Sequence, residues 1–257
     1  MCYETDRRPP APPQDLLPIG GGAATGESIT LQASDGTEFA AFNAKAERDG
    51  GPGIVILPDV RGLHAFYEDL ALRFADAGVH ATAFDYFGRT AGVGRRADDF
   101  DFWPEVMKTT PDTVALDVAA VVTHLREGGA TSVFTVGFCF GGRHSFNQAA
   151  RGHGVSGVIG FYGRVAPANE EDMDAPMQKA HFYEAPVLGL FGGTDQMISV
   201  ESIEAFGVEL DEAKVENELK VYEGAPHSFF DRAFDQFADD CDDAWRRILG
   251  FIERNSG

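Results

Sequence analysis

The sequence predicts an α/β protein, with a mostly parallel central sheet and helices on both faces. Short, continuous apolar runs recur along the chain, among them GIVILP (53–58), SVFTVGF (132–138) and PVLGLFG (186–192). Such runs are expected of strands buried on both faces. Segments with apolar residues at helical spacing separate them. Alternation of the two over 257 residues is best satisfied by a parallel sheet wound on both sides, which buries every apolar face.

The elements follow in order. Residues 1–26 carry Pro9, Pro10, Pro12, Pro13 and Pro18 and the run Gly20-Gly21-Gly22. They cannot propagate a helix or a ladder, so they read as an arm laid across the surface. Residues 27–257 read as a single domain, with no internal repeat. SITLQA (28–33) and TEFAAFNA (37–44) flank Asp35-Gly36 and predict a hairpin. Strand 53–58 leads to helix 66–78, which ends in Gly78, and then to strand 79–85. Pro111 opens helix 112–129 before strand 132–138. Helix 139–151, strand 155–162, strand 186–192, helix 199–213, strand 218–224 and a helix near 234–254 complete the order.

Composition limits the partners. Against 21 basic residues stand 41 acidic ones, a formal charge of −20. Such a surface repels phosphate backbones and anionic lipid, so neither a nucleic-acid nor a membrane partner is expected. No stretch approaches 18 apolar residues, and the start, MCYETDRRPPAPP, lacks the apolar centre of a signal peptide. Cys2, Cys139 and Cys241 show no paired spacing. Reduced thiols in the cytoplasm are therefore expected, with Cys2 and Cys241 given no role. His80, His124, His144, His153 and His181 have no metal-like partners in the sequence, whereas His64 could border a pocket. No glycine pattern marks a nucleotide loop, so no metal and no cofactor are expected.

One segment carries chemistry. Gly137-Phe138-Cys139-Phe140-Gly141 follows an apolar strand and opens a helix. Small residues two before and two after a nucleophile permit a sharp strand-to-helix turn that lifts the central side chain above the sheet. The helix N-terminus also favours a thiolate. Alone, Cys139 would fit a small buried hydrophobe equally well. Two further signals decide for function. Asp195 follows the strand at 186–192, and His227 follows the strand at 218–224. Nucleophile, acid and base thus occur in α/β-hydrolase order, each past the carboxyl end of a strand, where ligands bind in open α/β sheets.

The segments GFCFGG, GGTD and GAPHSFF resemble the dienelactone hydrolase family, α/β hydrolases with a cysteine nucleophile, and the resemblance spans about residues 28–254. It implies Cys139 as nucleophile, His227 as base and Asp195 as the residue orienting it. The family's acid beside the resting thiol, usually glutamate, corresponds to Asp59, one methylene shorter. A strand-end acid bound to backbone amides is the alternative there. The amides of Val60 and Phe140 fit the two oxyanion-hole positions. Tyr162 resembles a pocket tyrosine or is simply core, and Arg89 corresponds to an arginine that binds the substrate carboxylate. The family's second such arginine is replaced here by Asp231, followed by Arg232. Residues 98–108 and 164–184 are expected to wall the pocket.

The expected activity is hydrolysis of a small-molecule ester or lactone through a thioester acyl-enzyme, with a preference for anionic substrates through Arg89. A general carboxylesterase or thioesterase, and a non-catalytic ligand-binding protein on the same fold, are the alternatives. The oligomeric state is left open.

Overall fold

The computed structural model describes residues 8–18, 24–97 and 99–257; Cys2 and Gly20–Gly22 lie outside them. Strands β1 (Thr25–Gln32) and β2 (Glu38–Lys45) pair antiparallel around Asp35-Gly36. Gly36 makes that turn with φ +86°, a conformation L side chains rarely adopt. Strands β3 (Pro52–Leu57), β4 (His80–Phe84), β5 (Ser132–Phe138), β6 (Gly157–Phe161), β7 (Val187–Gly192) and β8 (Asn217–Tyr222) are mutually parallel. Their order is β1-β2-β4-β3-β5-β6-β7-β8, with β2 antiparallel to β4. This is the mostly parallel sheet that the buried runs predict.

The order places the site. After β4 the chain crosses back over β3 to lay down β5, so strand order reverses between β3 and β5. Loops leaving the carboxyl ends of two such strands diverge and open a crevice.

Helices α1 (Ala65–Asp76), α2 (Gly88–Ala91), α3 (Trp103–Val106), α4 (Pro111–Glu127), α5 (Phe140–Gln148), α6 (Pro176–Lys179), α7 (Val200–Glu212) and α8 (Ala238–Arg254) complete the fold. Alternate residues of β3 enter two cores, Ile54 and Ile56 one, Val55 and Leu57 the other. The first core takes apolar residues of α1 and α8, whose Phe74 and Trp245 rings lie 4.9 Å apart. The second takes Val114, Val118, Val121 and Val122 from α4. That helix starts as Pro111 implies, with the Thr110 hydroxyl accepting from the Thr113 amide at 3.2 Å.

Three details differ from expectation. Strand β1 begins at Thr25, inside the range assigned to the arm, because its backbone pairs with Lys45. The last helix starts at Ala238, and residues 234–236 form a separate 3-10 turn. Helices α2, α3 and α6 are too short to leave a periodic signal. The described part of the arm lies along α8. Pro9, Pro10, Pro12 and Pro13 are buried, Trp245 Nε1 donates to the Pro10 carbonyl at 3.2 Å, and Asp15 pairs with Arg246 at 2.7 Å. Among the described residues no helix is long and apolar enough to cross a membrane.

Candidate active site

Cys139 stands between β5 and α5 with φ 55° and ψ −110°, a strained conformation for a residue with a side chain. The flanking glycines make it possible. A Cβ on Gly137 would lie 1.9 Å from the Gly141 carbonyl oxygen, and one on Gly141 would lie 2.1 Å from that of Leu57. Backbone fills both spaces, so only glycine fits. The same closeness draws the start of α5 against the end of β3, where Tyr86 fixes the chain by donating to the Pro58 carbonyl at 2.8 Å. Val60 and Phe140 consequently line the same cavity as Cys139. Neither of their amides donates to another backbone carbonyl among the described residues.

The acid and the base come together because their loops are tied to each other. The Gly193 amide donates to the Tyr222 carbonyl at 2.7 Å, and the Thr194 amide to that of Ala225 at 3.0 Å. Asp195, its side chain 1% exposed, then meets His227 with Oδ2 at 2.6 Å from Nδ1. Its Oδ1 accepts from the Met197 amide at 2.8 Å. Burial alone would lower the pKa of the imidazole, but hydrogen bonding and charge from Asp195 and from the adjacent Cys139 push it up to about 9. Among the described residues His227 Nε2 is buried with no hydrogen bond of ordinary geometry. The three sequence-predicted residues therefore meet at one place. Cys241, by contrast, is a buried residue of α8 with its thiol 3.8 Å from the Phe229 carbonyl, and burial raises its pKa to about 12.

Two expectations need correction. Arg89 does not face the cavity. Short helix α2 turns it toward the β1–β2 hairpin, where it pairs with Asp117 at 2.6 Å and Asp35 at 2.9 Å. It clamps the hairpin to α4. Asp59 is buried, but both its oxygens are taken by Arg61, at 2.6 Å from Nη2 and 3.0–3.1 Å from Nε, and the Arg61 amide donates to Oδ1 at 2.9 Å. Burial would raise its pKa, yet the hydrogen bonds and charge of Arg61, with a contribution from His64, hold it below the usual carboxylate value. It makes no hydrogen bond to the Cys139 thiol. A residue two positions along the same loop takes the carboxylate first.

Tyr162 lines the cavity, its ring 4.9 Å from that of His227, with φ 37° and a buried hydroxyl lacking a hydrogen-bond partner. Asp231 is buried below it. Burial and the neighbouring Asp59 push its carboxyl up to about 6 despite Arg232 and Arg61. His64 packs edge-on against Tyr67, 4.9 Å between centroids, and does not line the cavity.

The cavity holds about 770 Å³, within the range of small-molecule sites. Residues 98–108 and 164–184 both contribute walls, through Trp103, Val106 and Met107 and through Arg164 to Asp172. Sequence reasoning missed two cations here. Arg143 lies four residues past Cys139 on α5, a spacing that brings side chains to one helix face, and pairs with Asp172 at 2.6 Å. Arg164, on the loop after β6, left no comparable signal.

The sequence profile of the Dienelactone hydrolase family matches residues 39–256. A protein of Escherichia coli O157:H7 assigned as a carboxymethylenebutenolidase is 27% identical over 238 residues, covering 89% of this chain and 87% of its own. The carboxymethylenebutenolidase of Rhodococcus opacus is 26% identical over 269 residues, covering 99% and 97%. A Klebsiella pneumoniae crystal structure assigned as a dienelactone hydrolase superposes with a TM-score of 0.79 at 25% identity, over 90% of this chain and 99% of that one. With its profile match running from β2 to the end of α8 and its elbow, acid and base in family order, this chain belongs to the dienelactone hydrolase family.

Proposed function

We propose that this carboxylic ester hydrolase cleaves an ester or lactone through Cys139, His227 and Asp195. The observation that carries the reading is the 2.6 Å His227–Asp195 pair beside a cysteine held at positive φ in the same cavity. The Cys139 thiol proton passes to His227, the sulfur attacks the carbonyl carbon, and the oxygen that gains charge is received by the Val60 and Phe140 amides. The imidazolium of His227 gives its proton to the departing alkoxide, leaving a thioester on Cys139. Neutral His227 then takes a proton from water as it attacks, and the thiol and the acid product separate. Asp195 holds the imidazole in orientation throughout. Incubation with a slowly released p-nitrophenyl ester, followed by mass spectrometry of the intact protein, should show the acyl mass on the Cys139 peptide. Turnover with no such adduct under acid quench would argue for direct water attack.

A pH profile follows from the raised pKa of His227. Its charged form is favoured in the folded protein, so the associated stabilisation is complete below 6.5 and disappears as pH rises through about 9. The proton needed by the leaving group disappears over the same interval. For a neutral ester, kcat/KM should fall on the alkaline side with an apparent pKa near 9. A profile level to pH 10.5 would remove His227 from the acid role.

An anionic substrate would meet Arg164 rather than Arg89. Arg143 is committed to Asp172, whereas Arg164 is exposed and makes no ion pair with a described residue. A charge-assisted contact contributes about 1.5–3 kcal/mol, or roughly ten- to a hundredfold. Solvent at Arg164 favours the lower end. Arg164→Ala should raise KM about tenfold for esters bearing a carboxylate and leave neutral esters unchanged. Arg89→Ala should instead lower the melting temperature with similar kinetics on both. A rise in KM for Arg89→Ala restricted to anionic esters would reverse this assignment.

A further inference from the structure

We propose that the apolar lining formed by Trp103, Met107 and Met197 is a subsite for a bulky apolar group, aromatic or medium-chain alkyl, on one side of the scissile bond; this rests on the ester-hydrolase reading above. Large apolar side chains standing in water are few in this protein. Seven are exposed among the described residues, and Trp103 at 60%, Met107 at 82% and Met197 at 55% all lie on the one cavity that holds Cys139. An apolar patch of this kind on an otherwise strongly charged surface marks a place where another apolar group is received.

Local structure directs these residues to the cavity. Trp103 and Met107 are four apart, so they share one face of the α3 turn. Phe102 and Val106 pack toward the second core, while Glu105 and Lys108 pair with each other at 2.8 Å. Met197 is tied to the proposed triad, since its amide donates to Asp195. Ile198, buried beside it, extends the apolar surface inward. Tryptophan supplies a flat rigid face and methionine a polarisable chain that adapts to irregular shapes. A small, highly charged substrate would use little of this surface or of the 770 Å³ available. Continuity with the Cys139 site makes the occupant part of the substrate.

The two tryptophans supply a direct readout. Trp245 is fully buried and hydrogen-bonded to Pro10, whereas Trp103 is exposed. Quenchable emission therefore comes from Trp103. Titration of Cys139→Ala with p-nitrophenyl-free hexyl and phenylethyl esters should blue-shift that emission and protect it from acrylamide; ethyl acetate should do neither. In the wild type, kcat/KM for an acyl series from acetate to hexanoate, or for an alkyl acetate series from methyl to hexyl, should climb up to about fourfold per methylene, the effect of burying each one. The double variant Trp103→Ala, Met107→Ser should flatten the slope, and Val208→Ser, exposed on α7, should leave it unchanged. Absence of a slope in both series, an unaltered slope in the double variant, or no change in Trp103 emission would overturn the proposal. So would a concentration-dependent dimer that already shields Trp103 without ester. A wild type that turns over no ester while the Cys139→Ala titration still shifts Trp103 would refute the catalytic reading and leave the subsite standing.

Discussion

Cys139→Ala should reduce ester turnover by roughly 10⁴- to 10⁶-fold, the scale on which triad residues acting as a unit are lost. The fold should survive, because alanine retains the Cβ already accommodated at φ 55° and both flanking glycines remain. The melting temperature therefore serves as the control. Iodoacetamide should modify Cys139 and stop turnover, while Cys241, buried with its thiol pKa near 12, should stay unmodified in the native protein. Cys139→Ser should retain a small residual rate, since His227 must then deprotonate a far weaker acid. Activity of Cys139→Ala within a few fold of wild type would sink the mechanism as a whole.

Asp59→Asn should destabilise the protein by about 3 kcal/mol, the lower end of the range for removing one partner of a buried ion pair. The Arg61 side chain, 15% exposed, keeps some water and sets the effect at that end. For a chain of this length the loss corresponds to a fall of about 6–12 °C in Tm. Asparagine preserves the shape but removes the Asp59 charge that the Arg61 guanidinium binds. The pH dependence provides a second check. The carboxyl pKa of Asp59 is depressed in the folded state, so its stabilisation is present above 3.8 and lost as pH falls through the lowered value. The gap in Tm between wild type and variant should close in strong acid. Because Asp59 and Arg61 flank Val60, kcat should also fall as that loop loosens. An unchanged Tm with altered thiol reactivity would restore Asp59 to the role suggested by its place in the family.

The cysteine elbow and the sheet were legible because their signals are local. A nucleophile elbow needs glycine at fixed offsets, and the backbone oxygens near Gly137 and Gly141 show why. Parallel strands buried on both faces must be apolar throughout, so β3, β5 and β7 stand out as continuous runs. Chain order then pointed to Asp195 and His227 as the candidate acid and base. The short helices α2, α3 and α6 were missed because one turn of helix leaves no period to detect.

The charged residues around the site were not legible in the same way. Arg89 occupies a rim position by sequence, yet its partner is Asp117, 28 residues later and on another element. Asp59 follows β3 as the family acid does, yet Arg61 takes its carboxylate at 2.6 Å. Asp231 shares the resulting buried group, and Arg164 is left as the cavity's unpaired cation among the described residues. The sequence by itself determined the fold and the order along the chain of the cysteine elbow, Asp195 and His227, since backbone sterics and strand burial act within a few residues. Which cation lines the cavity and what Asp59 pairs with were decided only by the tertiary structure. A charge binds whichever opposite charge packing brings nearest, and in a low-dielectric interior that choice is strong and non-local.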